Sequence, residues 1–338
     1  MSIPSATGSD LLRIDAAKES DRIAAAIRDI VLVQFRRKGV VVAVSGGVDS
    51  SVVAALCVRA LGQERVIALF LPESDSSSDS LRLGRELADS LGIRCFTEDL
   101  TSLLRAAGCY SRRDDAIRSI LPEYGEGYKC KIVLPDLVRT DRYAIFSLVV
   151  QSPSGAITTL RLPLDAYLGI IAATNFKQRT RKMMEYYYAD RYHFMVAGTP
   201  NRLEYDLGFF VKNGDGSADL KPIAHLYKSQ VYQLAAYLEI PEEIQRRAPT
   251  TDTYSLEQSQ EEFYFSVPLH SMDLCLYGKD HGITPANLAG IVGMTEEQVK
   301  RVYRLIESKR KVARYSHATP LLVEEDSKTW QDSPMAAD

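Results

Sequence analysis

Apolar residues recur along this chain with two alternating periods. From residue 15 to 38, Ile23, Ile27, Ile30 and Val31 fall at helical spacing, and Gly39 ends the run. Residues 40–44 follow as a continuous apolar run, β-branched except at Ala43, the pattern of a strand covered on both faces. A turn over residues 45–49 leads into an apolar helix through Val52, Val53, Leu56 and Leu61. Residues 65–71 form a second buried strand. A Ser-rich loop over residues 73–78 precedes a helix ending near Gly92, and residues 93–97 form a third strand. Strands alternating with helices predict an α/β fold: an open, mainly parallel sheet with helices on both faces.

The middle breaks this rhythm. Residues 110–126 read as polar, and residues 128–134 as strand-like. Residues 143–150 and 156–162 flank a Ser/Pro/Gly turn and predict a β-hairpin. We read residues 110–163 as an inserted elaboration within a single domain over residues 15–320. The α/β pattern then resumes. Asn175 is placed as the N-cap of a helix reaching Arg191, with Gln178 as its capping-box partner. Residues 194–198 form a buried strand. A helix carrying Tyr227, Val231, Leu234 and Leu238 stops before Pro241, and the last third is helical through Ile306. Residues 321–338 are acidic and read as a disordered tail.

Composition narrows the function classes. The 338 residues are 46% hydrophobic and 25% charged, with 41 Lys+Arg against 44 Asp+Glu. That balance gives no general attraction to nucleic acid. No apolar run approaches the roughly 18 residues of a membrane span. The first ten residues lack the basic and apolar regions of a secretory signal. Five separated cysteines argue against a disulfide framework and for a reducing cytoplasm.

The chemistry concentrates after the first strand, in Ser45-Gly46-Gly47-Val48-Asp49-Ser50-Ser51. The glycines let the backbone approach a ligand, and the amides of the turn and helix start form an anion nest. An acid beside a phosphate site is repulsive unless a cation lies between, so Asp49 reads as a Mg2+ ligand. No Walker A motif is present.

Ser-Gly-Gly-Val-Asp-Ser resembles the PP-loop of the N-type ATP pyrophosphatases, which cleave ATP between its α- and β-phosphates. Asn175-Phe176-Lys177-Gln178-Arg179 and Gly198-Thr199-Pro200-Asn201-Arg202-Leu203-Glu204 resemble segments of the NAD synthetases within that superfamily. So does Gly208-Phe209-Phe210-Val211-Lys212-Asn213-Gly214-Asp215-Gly216-Ser217-Ala218-Asp219, with Lys228 and Pro249-Thr250 continuing the series. The resemblance implies an ammonia-dependent enzyme that adenylates the carboxylate of deamido-NAD with ATP and then amidates it. It implies ATP contacts from Ser45, Gly46, Gly47, Val48, Asp49, Ser50, Thr199, Lys228 and Thr250. It implies Mg2+ on Asp49 and Glu204, and deamido-NAD contacts from Arg179, Lys212, Asp219 and Lys309. Lys309 lies in Glu307-Ser308-Lys309-Arg310, where the family usually has histidine at the second position.

The resemblance further implies a homodimer. About forty residues precede the phosphate turn, too few for a fused glutaminase domain, so ammonia is expected from solution or a separate glutaminase. Lys228 stands near a helix start, where a cation meets the positive end of the dipole unless a phosphate is in reach. Two other readings stay open: a related ligase amidating a different carboxylate, and an ATP-binding protein without turnover.

Overall fold

The computed structural model describes residues 8–135, 146–251 and 253–323. Its centre is a parallel sheet of β1 (Val40–Ala43), β2 (Val66–Phe70), β3 (Arg94–Thr97) and β7 (Met195–Ala197), in the order β3-β2-β1-β7. Val40, Val41 and Val42 are wholly buried because helices cover both faces. Val40 and Val42 pack with Ile23, Ile27, Val52 and Leu234 on one side. Val41 packs with Ile67, Leu69 and Tyr188 on the other. The chain runs from β1 outward to β3 and returns on the far side of β1, so β1 and β7 are parallel neighbours. Their carboxyl ends meet where the direction of winding reverses, the usual place for a ligand in such sheets.

The inserted region is a separate antiparallel sheet, β4 (Lys129–Val133), β5 (Ser147–Gln151) and β6 (Ile157–Arg161), in that order. The strand-like span 128–134 is β4, and it pairs with the expected hairpin. The expected strand start at residues 143–145 lies outside the described residues, as do residues 324–338 of the expected tail.

Two expectations need correction. Asn175 is not a helix cap. It lies inside one helix, Leu164–Tyr192, which begins after Pro163 with Asp165 in its first turn. The first half of this helix buries Ala166 and Ile170 against the inserted sheet, and the second half buries Tyr188 and Ala189 against the parallel sheet. Packing on two cores carries the helix past a residue that locally favours a start. Second, the span read as polar contains a helix, Cys109–Arg118. Its buried stripe is Cys109, Arg113 and Ile117, and the arginine hides the periodicity from a hydrophobic reading.

A further core joins Leu203, Leu207 and Phe265 to the C-terminal helices Leu269–Asp280, Pro285–Val292 and Glu296–His317. The last of these continues eleven residues beyond the expected end at Ile306. Among the described residues, no helix is long and apolar enough to cross a membrane. All five cysteines are free thiols.

Candidate active site

The residues after β1 make a tight turn into the helix Val48–Leu61. Gly46 has φ +72°, and a Cβ there would sit 2.6 Å from the Ser80 carbonyl oxygen. Only glycine fits that position. Ser50 Oγ donates to the Gly47 carbonyl at 3.0 Å and accepts from the Ser45 amide at 3.2 Å, while Ser51 Oγ donates to the same carbonyl at 2.9 Å. The hydroxyls thereby fix the shape of the turn that presents the helix N-terminus.

Three charged groups converge beside it. Asp49 comes from the first turn of that helix, and Lys228 begins the helix Lys228–Tyr237. Glu204 lies on the short helix Arg202–Leu207 behind β7. Lys228 Nζ pairs with Asp49 Oδ2. Asn201 caps the Glu204 helix and also donates from Nδ2 to Asp49 Oδ1 at 3.0 Å, joining the two carboxylates. Glu204 accepts from the Asn201 amide at 3.1 Å and from Gln260 Nε2 at 2.9 Å.

Burial, reinforced by the charge of Asp49, pushes the Glu204 carboxyl up to about 8. Burial opposes the charge of Lys228, but Asp49 and Glu204 outweigh it and hold the ammonium above its ordinary value.

The expected dipole conflict at Lys228 is resolved within the protein. Lys228 is buried rather than exposed. Asp273, from the helix Leu269–Asp280, accepts from the Lys228 amide at 3.1 Å and from the Ser229 amide and hydroxyl at 2.7 Å each. A carboxylate thus sits at the positive helix end.

Ser45, Gly47, Val48, Asp49, Ser50, Thr199, Glu204, Lys228 and Thr250 all line one cleft. Gly46 shapes it through its backbone: its carbonyl accepts from Arg247 NH1 at 3.4 Å, while Arg247 NH2 donates to Ser80 Oγ at 2.9 Å. Arg247, Asn201, Gln260 and Asp273 were not among the expected site residues. Arg247 adjoins the Pro249-Thr250 motif, and an aspartate within Met272-Asp273-Leu274-Cys275 is a polar intruder in an apolar helix. Asn201 lies inside the quoted segment from Gly198 to Glu204, and nothing local marks Gln260.

A second polar group lines the same cleft from the long helix: Gln178, Arg181, Lys182 and Glu185, with Asp215 facing them. Lys182 Nζ lies 2.6 Å from Glu185 Oε2. Burial raises the pKa of both Glu185 and Asp215, against the opposing pull of Lys182.

The four residues expected to hold the dinucleotide do not line this cleft. Arg179 Nε donates to the Lys212 carbonyl at 3.3 Å. Lys212 Nζ donates to the carbonyls of Tyr315 at 2.9 Å and Ala318 at 3.1 Å, at the end of the C-terminal helix. Asp219 accepts from the Val196 amide at 2.7 Å and from the Tyr186 hydroxyl at 3.1 Å. Lys309 Nζ sits 3.3 Å from the Tyr264 ring centroid, and burial pushes it down to about 7. Arg179 and Lys212 are therefore brought together, while Asp219 and Lys309 are held by other partners.

A family model described as NAD synthase matches residues 19–118 and 161–314. The unmatched interval holds β4, β5 and most of β6. The chain is 57% identical over 312 residues to a protein of Mesorhizobium japonicum named NH3-dependent NAD+ synthetase, covering 92% of this chain and 98% of that one. A protein of Rhizobium rhizogenes with the same name is 57% identical over 324 residues, covering 96% and 98%. Among solved structures, the NH3-dependent NAD synthetase of Campylobacter jejuni superposes with a TM-score of 0.58 at 21% identity, over 92% of this chain and all of that one. At that identity the superposition speaks to fold alone.

Proposed function

The chain belongs to the NAD synthase family, and from that premise we propose that it is an ammonia-dependent NAD+ synthetase. A nicotinate carboxylate oxygen of deamido-NAD attacks the α-phosphorus of ATP. The bond from that phosphorus to the bridging oxygen breaks, and pyrophosphate leaves. Ammonia then attacks the acyl carbon of the adenylate, the bond to AMP breaks, and the nitrogen loses a proton to give the amide. No side chain need act as a nucleophile.

The observation that carries this reading is the union of Asp49, Lys228 and Glu204 at the mouth of the glycine turn. The turn amides bind phosphate oxygens, and Lys228 neutralises charge on the departing pyrophosphate. The carboxylates of Asp49 and Glu204 fit Mg2+, which takes one or two carboxylates and completes its shell from phosphate oxygens and water. The raised pKa of Glu204 supports that fit, because its surroundings hold too little positive charge to ionise it fully at neutral pH. Bound there, Mg2+ supplies further charge neutralisation at the phosphates.

Arg179, Lys212, Asp219 and Lys309 form the dinucleotide set by family resemblance, outside the ATP cleft. Exposed Leu164, Leu168, Met183 and Tyr187 on the long helix offer an apolar face for a homodimer. Ammonia arrives free or from a separate glutaminase, in a cytoplasmic setting. Incubation with deamido-NAD, ATP, Mg2+ and ammonium should yield NAD+, AMP and pyrophosphate in equal amounts. Absence of NAD+ while another carboxylate is consumed would reject the assignment.

A further inference from the structure

Lys177 lies one helical turn before Arg181 on the long helix, on the side away from Arg179. It has no solvent exposure. Its ammonium is 2.6 Å from Asp75 Oδ2, 3.0 Å from Glu73 Oε1 and 2.7 Å from the Thr253 carbonyl oxygen. The contacts to Asp75 and Thr253 are hydrogen bonds, and Glu73 adds an ion pair.

A second layer steadies the acceptors. The Tyr110 hydroxyl donates to Glu73 Oε2 at 2.8 Å, and Arg113 NH1 donates to Asp75 Oδ2 at 2.5 Å. Arg113 also pairs with Asp114 at 2.9 Å. Burial works against the charge of Asp75, but Lys177 and Arg113 overcome it and hold the carboxyl below its ordinary value.

The three acceptors of Lys177 come from two segments, and both segments wall the ATP cleft. Leu71, Pro72, Ser76 and Ser77 line it on one side, and Ala248, Pro249, Thr250 and Thr251 on another. Arg181 reinforces the first wall, donating to the Leu71 carbonyl and to Ser76 Oγ at 3.3 Å each. Outside Lys177, the second wall is tied to the inserted sheet: the Cys130 amide donates to Ser255 Oγ at 2.9 Å, and the Leu256 amide to the Cys130 carbonyl at 3.1 Å.

A buried ion cluster is an expensive way to fill space, since apolar residues of like volume usually stabilise as much or more. What it provides is a fixed distance between the groups it joins. We propose that Lys177 is a positioning residue for ATP, tying the loop 71–77 to Thr253 and the cleft-lining residues 248–251 and setting the width of the cleft between them. The idea rests on the ATP-dependent reading above, and Lys177 itself touches no reacting atom.

The decisive variant is Lys177→Met with Glu73→Gln and Asp75→Asn, which removes the charges together and leaves none stranded. Its melting temperature should stay near that of the parent, while calorimetric ATP affinity falls about tenfold or more. At saturating ATP, kcat should stay within about threefold and KM for deamido-NAD should not move, because the chemistry and the acceptor contacts are intact. A folded variant with parental ATP affinity overturns the proposal.

Hydrogen exchange on the unsubstituted protein gives a test independent of folding variants. Amides of residues 73–77 and of Thr250, Thr251 and Thr253 should open at one common rate, and ATP should slow both sets. Opening at unrelated rates also overturns it. ATP binding needs no acceptor, so a failure to make NAD+ sinks the function proposed above without deciding this one.

Discussion

Asp49 and Lys228 stand 179 positions apart in the chain, yet they form a partly buried ion pair beside the glycine turn. Asp49 and Glu204 hold the charge of Lys228, which compensates Glu204 only in part. In the proposed reaction a triphosphate and its cation would enter between groups already oriented.

Replacing Lys228 by Met tests this directly. A helix-dipole argument alone would have the substitution stabilise the protein slightly. The structure reverses the sign, because Asp49 loses its buried partner and the dipole is already met by Asp273. We expect a loss of about 1–3 kcal/mol of stability and a fall in pyrophosphate release of about a hundred- to a thousandfold. Differential scanning calorimetry beside a pyrophosphate assay separates the two effects. Unchanged turnover would reduce Lys228 to a structural role.

Asp49→Asn should act differently. The amide has one acceptor oxygen where the carboxylate used two, so it can keep Lys228 or Asn201 but not both, and the fold should melt modestly below the parental temperature. Turnover should collapse even at saturating Mg2+, since a carboxylate suited to the cation is gone. Removing the Asp49 charge also removes one of the two causes that raise Glu204. Carbon-13 titration of the Glu204 carboxyl should therefore show a lower pKa in the variant.

Glu204 and Lys309 give opposite pH signatures. The folded Glu204 carboxyl titrates near 8 instead of 4.5. Between those values the unfolded chain ionises and the folded one keeps its proton, so this group costs stability as pH rises, then levels off above about 8. Lys309 titrates near 7 in the folded protein instead of 10.5. Above 7 the unfolded chain holds the extra proton, so this group adds stability as pH rises toward 10.5. In melting curves, Glu204→Gln should flatten the slope from about pH 5 to 7, and Lys309→Met the slope from about pH 8 to 10. Each slope should approach but not exceed about 1.4 kcal/mol per pH unit. Persistence of either slope in its variant would remove that residue as the cause.

The phosphate turn was legible because everything that makes it is contiguous: a β-branched strand, two glycines, and hydroxyls that bond back to Gly47 within four residues. The convergence of Thr199 with Ser45 followed from both ending parallel strands, and β1 and β7 are indeed neighbours. What escaped was tertiary. Asp273 meets Lys228 across 45 positions, and Gln260 meets Glu204 across 56, with no local pattern announcing either. Asn175 misled for the converse reason. Its local capping preference is real, but two hydrophobic cores pull the helix through it.

Gly46→Ala isolates the turn itself. The added methyl would approach the Ser80 carbonyl oxygen at 2.6 Å in a backbone region that disfavours side chains. Strain of this kind costs about 1–3 kcal/mol. Because the Gly46 carbonyl also meets Arg247, the turn should shift rather than merely tighten. ATP affinity should drop together with melting temperature, and an unaltered affinity would show that the turn does not hold phosphate.

Binding of the acceptor is tested at Arg179. Arg179 is exposed, so its removal opens no cavity. Its guanidinium pins the Lys212 carbonyl, and the Lys212 ammonium in turn holds the carbonyls of Tyr315 and Ala318. Arg179→Ala should therefore raise KM for deamido-NAD while leaving KM for ATP unchanged, because Arg179 stands outside the ATP cleft. One charge-assisted contact is worth roughly 1.5–3 kcal/mol, or about ten- to a hundredfold in affinity. Lys212→Met should do the same and also loosen the end of the helix Glu296–His317, visible as faster amide exchange over its last turn. If Arg179→Ala raises the ATP constant instead, the two substrates share this arginine. If neither constant moves, the dinucleotide binds through other residues, and Arg179 serves only to fix Lys212.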